Sequence, residues 1–151
     1  MLSVHKVLRA TSSLRITSAV SVARFSSGSH EDFQPKKKVM KDGLDDVVQM
    51  IGKQVKENPV MLYMKGTPQQ PQCGFSLQAV RVLNAVGADF SSVNVLEYPA
   101  IREAVKLYSD WPTIPQLYVA GEFVGGCDIM TNMYNDGSLE KLMKEKNVLK
   151  N

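Results

Sequence analysis

The stretch VMLYMKGTPQQPQCGFSLQAVRVLNAVG, residues 60–87, decides how this chain is read. VMLYMK (60–65) is short and apolar, the pattern of a buried strand, and Gly66 and Pro68 halt it. From Cys73 the run GFSLQAVRVLNAVG predicts a helix closed by Gly87. A strand, a Gly/Pro loop and a cysteine at the mouth of a helix place one sulfur where unpaired backbone N–H groups and the positive end of the helix dipole both favour an anion. The thiolate is the form that attacks disulfides and binds metals. Lys65, just upstream, adds a positive charge near the loop. The competing reading is an inert, small hydrophobe, but such cysteines seldom sit amid Pro, Gln and Gly at a helix entrance.

Three residues after Cys73, where a dithiol enzyme carries its second sulfur, stands Ser76. In a Cys-x-x-Cys pair the first thiol attacks and the second resolves the mixed disulfide within the chain. Cys-Gly-Phe-Ser removes that step. Whatever forms on Cys73 is resolved by an external thiol, by distant Cys127, or by no thiol because the sulfur serves as a ligand.

The 151 residues, 44% hydrophobic and 22% charged, suit one domain with a single core. Two cysteines make no disulfide framework, so a reducing compartment is the simpler assumption. The formal charge of +3 is unevenly spread. Residues 1–30 hold Lys6, Arg9, Arg15 and Arg24, eight serines and no acidic residue, and the remainder carries 14 basic against 15 acidic residues. Without its first segment the chain therefore presents no general electrostatic case for nucleic acid. That arginine-bearing, serine-rich, acid-free start has the composition of a mitochondrial transit peptide, and RFSSGS around Arg24 resembles a matrix-processing site. A disordered tail without an address shares much of this composition. No run reaches the roughly 18 apolar residues that span a bilayer. Residues 29–43, with Pro35, Gly43 and Lys36, Lys37 and Lys38, read as a solvated linker.

Beyond Gly43, Leu44, Val47, Val48, Ile51 and Val55 share one helical stripe that ends at Asn58-Pro59. DFSSVNVL (89–96) is a second strand candidate, and Ile101, Val105 and Tyr108 mark a helix over 101–110. QLYVAGEFVGG (116–126) has the form of a hairpin turning at Ala120-Gly121. Helical pieces over 128–135 and 138–147 meet at Asp136-Gly137. The order α-β-α-β-α-β-β-α-α predicts a small mixed sheet flanked by helices. Trp111, Tyr118 and Phe123 are expected in the core.

KGTPQQPQCGFS and WPTIPQLYVAGEFVGGCD, with the element order between them, resemble the monothiol, CGFS-type glutaredoxins of the thioredoxin-like fold. The resemblance covers about residues 44–147, leaves 148–151 as a tail, and with the leading segment points to the family's single-domain mitochondrial form. It implies an α/β fold with a four-stranded mixed sheet and a cis peptide before Pro115, which turns the backbone of Thr113 and Ile114 toward Cys73. An extended peptide can pair with such an edge in strand fashion, and glutathione, the family ligand, is such a peptide.

The resemblance further implies glutathione contacts at Lys65, Gly74, Phe75, Arg102, Lys106, Thr113, Ile114, Cys127 and Asp128. Arg102 and Lys106, four apart on one helix face, suit a carboxylate. The alternative for this pair is a solvated helix face. The helix opened by Gly125-Gly126 suits the other carboxylate, with Asp128 facing the ammonium. Cys127 is either buried at that helix start or an occasional disulfide partner of Cys73.

Two functions follow. In the first, Cys73 from each of two chains and two glutathione thiolates hold a [2Fe–2S] cluster in a homodimer. The resemblance implies that such a dimer takes clusters from the mitochondrial assembly machinery to acceptor proteins in the matrix. In the second, the chain is an oxidoreductase that removes glutathione from mixed disulfides by a monothiol route. Seven residues separate Lys65 from Cys73, a longer loop than in dithiol relatives, and the resemblance associates that extension with weak reductase activity. The carrier reading is preferred. A structural zinc module lacks ligands, because His5 and His30 lie in or beside the leading segment.

Overall fold

Strand β1, Val60–Met64, is buried at all five positions. Val60, Leu62 and Met64 join one apolar cluster, and Met61 and Tyr63 another. Successive strand residues face opposite sides of a sheet, so an unbroken apolar run requires cover on both faces. The computed structural model, which describes residues 41–149, supplies that cover. The segment expected to be a transit peptide (1–28), the expected linker up to residue 40, its three lysines and both histidines lie outside the described residues.

In chain order the helices are α1 (Lys41–Glu57), α2 (Gly74–Val86), α3 (Pro99–Ser109), α4 (Cys127–Asn135) and α5 (Ser138–Glu145). The other strands are β2 (Ser91–Asn94), β3 (Gln116–Val119) and β4 (Glu122–Gly125). The sheet runs β2-β1-β3-β4, with β1 parallel to β2 and antiparallel to β3, and β3 antiparallel to β4. Ala79, Val80 and Leu83 of α2, Met130 of α4, and Leu139 and Met143 of α5 cover one face. Ile51 and Val55 of α1 and Ile101, Ala104 and Val105 of α3 cover the other. Each fully buried Leu contributes about 1.5–3 kcal/mol. The expected element order and mixed four-stranded sheet are both present.

Two boundaries and the placing of two aromatic rings differ from expectation. Helix α1 begins at Lys41, so residues 41–43 belong to it and not to a linker. The expected tail is part of the domain through residue 149: Val148 and Leu149 pack on the α2 face, and Leu149 bridges Ala88. Trp111 and Phe123 are half-buried, with ring centres 5.7 Å apart, whereas Tyr118 is fully enclosed. The reason lies in the end of α3. Asp110 adopts φ 51°, and Trp111 N–H reaches back to the Lys106 carbonyl at 3.1 Å, which directs the ring to the rim of the sheet.

Among the described residues, no helix is long and apolar enough to cross a membrane.

Candidate functional site

The loop between β1 and α2 closes on itself. Thr67 and Gln70 exchange backbone hydrogen bonds at 3.2 and 3.1 Å, Gly66 bridges Pro71, and Gln72 N–H reaches the Lys65 carbonyl at 3.0 Å. This knuckle returns Cys73 to the end of β1. Gly66 makes the return possible, with φ 88° and no room for a Cβ, which would strike the Gln70 carbonyl and lie 2.7 Å from Gln72 N. Asn94 braces the base, its Oδ1 accepting from Gly66 N–H at 2.8 Å and Leu96 N–H at 3.1 Å.

Cys73 is the N-cap of α2, extended at φ −152° and ψ 138°, and its side chain makes no capping hydrogen bond. Ser76, in the place of a resolving thiol, is fully buried, and its Oγ accepts the Lys65 backbone N–H at 3.1 Å. Its position three, four and seven residues before Ala79, Val80 and Leu83 puts it on the buried stripe of the helix.

Opposite stands the entrance of α4. Cys73, Gly74, Phe75 and Gln78 from α2 and Cys127, Asp128, Thr131 and Asn132 from α4 line one open cleft of about 730 Å³. Phe75 is 62% exposed. Burial pushes the Cys127 thiol up from its ordinary range; the Thr131 side chain opposes the rise, and Asp128 and Cys73 add to it. Thr131 Oγ1 also donates to the Cys127 carbonyl at 2.9 Å. Gly126 caps α4 so closely that a Cβ there would meet Trp111 Nε1 at 3.3 Å and the Pro115 carbonyl at 3.5 Å. The α4 entrance thus rests on the loop before β3.

In that loop the Ile114–Pro115 peptide is cis, as expected. Trp111 Nε1 donates to Thr113 Oγ1 at 3.0 Å. Among the described residues, no hydrogen bond engages the amide or carbonyl of Ile114.

Of the expected site residues, Cys73, Gly74, Phe75, Cys127 and Asp128 share the cleft wall. Thr113 and Ile114 lie in the loop that abuts Gly126. Lys65 sits half-buried at the base of the knuckle. Arg102 and Lys106 occupy α3, outside the cleft wall. Lys106 approaches Glu103 at 3.8 Å, and the buried Nε of Arg102 has no hydrogen-bond partner among the described residues. Gln78, Thr131 and Asn132 were not anticipated. Helical spacing offered a signal for all three, since each lies one turn or slightly more after Gly74, Cys127 or Asp128.

A mixed four-stranded sheet with a capping thiol at one helix entrance and a cis-proline loop beneath another defines a thioredoxin-like protein of the glutaredoxin type. Comparison with known proteins narrows the class. The Glutaredoxin family profile matches residues 60–124. The chain is 46% identical over 148 residues to monothiol glutaredoxin-S15, mitochondrial, of Arabidopsis thaliana, with 91% of this chain and 88% of that protein covered. It is 50% identical over 104 residues to monothiol glutaredoxin-5, mitochondrial, of Schizosaccharomyces pombe, covering 67% and 71%. The solution structure of reduced poplar apo GrxS14 aligns at a TM-score of 0.62 and 44% identity, covering 69% of this chain and 96% of that one. The chain belongs to the glutaredoxin family, and its relatives named here are monothiol members.

Proposed function

We propose that this chain carries [2Fe–2S] clusters in the mitochondrial matrix, holding each cluster between two copies of itself and passing it to acceptor proteins. The leading segment (1–28) would deliver the chain there as a cleavable transit peptide, in keeping with the mitochondrial names of two relatives. Cys73 of each copy supplies one thiolate and a glutathione bound to each copy supplies another, completing the four that such a cluster takes.

The observation that carries this reading is the division of labour between the two thiols of one cleft. Cys73 caps its helix with a side chain held by no capping bond, while burial holds Cys127 toward its protonated form. Ser76 offers no second sulfur, and its hydroxyl serves the Lys65 backbone. Among the described residues no three His, Cys, Asp or Glu side chains come together, so a cluster on Cys73 needs ligands from outside the chain.

Glutathione fits the surroundings. Its two carboxylates require cations and backbone donors, and the partnerless buried Nε of Arg102 supports an anion beside α3, with Lys106 and Lys65 as further cations. The entrance of α4 suits the second carboxylate, and Asp128 the ammonium. The unengaged peptide group of Ile114 suits strand-like pairing with the tripeptide backbone. A small exchangeable ligand also leaves more readily than a protein cysteine, as delivery of a cargo requires.

Anaerobic reconstitution with and without glutathione, followed by absorption and circular dichroism spectra and sizing, tests the reading. The expected result is cluster absorption at the size of a dimer, only with glutathione present. Rapid turnover of a glutathione mixed disulfide by a monomer that takes up no iron would establish the oxidoreductase instead.

A further inference from the structure

Gln116 and Ser76 are the two fully buried polar side chains among the described residues. The task of Ser76 is local, whereas that of Gln116 reaches across a loop. Its Nε2 donates to the Trp111 carbonyl at 3.0 Å and to the Thr113 carbonyl at 3.1 Å, and its Oε1 accepts from the Tyr118 hydroxyl at 2.9 Å. These three partners fix the orientation of the amide, because the reverse would set Oε1 against two carbonyl oxygens.

Tyr118 is itself held by rings: Tyr63 edge-on at 5.7 Å, Tyr108 at 5.8 Å and Phe123 at 5.4 Å. Burial pushes its phenol up to about 12, so the hydroxyl remains a donor at neutral pH. The backbone of Gln116 pairs with Tyr63 of β1, so the residue sits where the two inner strands of the sheet meet. The loop so held is the one whose Trp111 Nε1 and Pro115 carbonyl lie against Gly126, the cap of α4. Starting β3 requires no such side chain. An apolar residue of similar volume would avoid the desolvation of a carboxamide.

We propose that Gln116 is a positioning residue for the ligand: its carboxamide, oriented by Tyr118, fixes the Trp111–Thr113 segment against the α4 entrance and so sets the width of the slot that an extended tripeptide enters. The role rests on the glutathione reading above. Gln116 touches no ligand itself. It acts through the two carbonyls, leaving the Ile114 peptide group turned to an incoming backbone.

Glutathione titrated into the reduced, isotope-labelled full chain and followed by NMR gives a dissociation constant for each variant. Gln116→Leu removes both donors at similar volume and is expected to weaken binding about tenfold. Tyr118→Phe removes only the orienting hydroxyl and is expected to weaken it about threefold. The double variant should bind no more weakly than Gln116→Leu alone, since both changes act through one amide. The indole N–H resonance of Trp111, the only tryptophan, should move in each free variant while the amides of α1 stay in place. Binding within twofold of the parent for both single variants would overturn the role, even with a lowered unfolding midpoint. If Gln116→Leu does not fold, Tyr118→Phe decides by the same threefold criterion. A parent protein without saturable shifts at the cleft would overturn the glutathione reading and the role together, whereas a binding parent with unaffected variants overturns the role alone.

Discussion

Two helix entrances face one cleft and each presents a cysteine, yet they give their sulfurs different surroundings. At α2, Cys73 is the cap itself, extended and with its side chain unbonded to the helix it opens. At α4 the cap is Gly126, and Cys127 is the first helical residue, where burial favours the protonated thiol. Both sulfurs sit at the positive end of a helix, so the dipole alone does not distinguish them. Both thiols are half-buried; one residue of displacement along the helix separates a sulfur on the cap from one in the first turn, where burial favours the protonated form.

Each entrance is also shaped by a glycine, and exchanging these breaks the comparison most severely. Gly66→Ala is expected to destabilise the chain by about 2–4 kcal/mol, because the new Cβ meets backbone on both sides at φ 88°. Gly125→Ala should cost about 1–3 kcal/mol, since at φ 154° its Cβ would lie 2.7 Å from Ile129 Cβ on α4. Denaturant unfolding measures both losses. The first should perturb the resonances around Cys73 and the second those around Cys127; the opposite pattern would contradict the assignment of each turn to its own thiol.

Ser76→Ala sharpens the contrast by leaving the Lys65 N–H without its acceptor, at a cost of about 1–2 kcal/mol. An unchanged unfolding midpoint would show that the hydroxyl does not hold the knuckle. A smaller effect concerns titration. In a Cys73→Ser background, alkylation of Cys127 by iodoacetamide should follow a pH profile displaced above that of an ordinary thiol, because its protonated form is favoured. A profile at or below the ordinary range would remove the electrostatic distinction between the entrances.

The smallest expected effect is alkaline. The folded-state value of Tyr118 is raised to about 12, so its protonated phenol is favoured by folding. Stability from this group is complete below about pH 10, where the unfolded phenol is also protonated, and is lost as the pH rises through about 12. Tyr118→Phe should flatten that part of the alkaline unfolding curve.

Much of this was legible in the chain. The apolar run of β1, the stripe of α1 and the Ala120-Gly121 turn express local periodicity and turn chemistry, and they carried the element order and the sheet. Cys73 at a helix entrance followed from neighbours in sequence alone. What local pattern did not reveal depends on contacts between distant segments. The brace from Asn94 to Gly66 exists only because β2 lies beside β1, and the bridge between Ala88 and Leu149 only because the end of the chain returns to α2. Trp111 has the composition of a core residue, and its place at the rim follows from the left-handed turn at Asp110, which a non-glycine residue does not announce. Sequence marks Ser76 only as the missing second sulfur; its place on the buried stripe of α2 and the N–H that it serves come from the structure.

The most direct measurement compares iron and sulfide bound per chain after anaerobic reconstitution with glutathione in the parent, Cys127→Ser and Cys73→Ser proteins. With one cluster per two chains, the parent and Cys127→Ser should each hold about one iron and one sulfide per chain, and Cys73→Ser should hold neither. Retention of cluster by Cys73→Ser, or its loss from a folded Cys127→Ser, would contradict the division of roles between the two entrances.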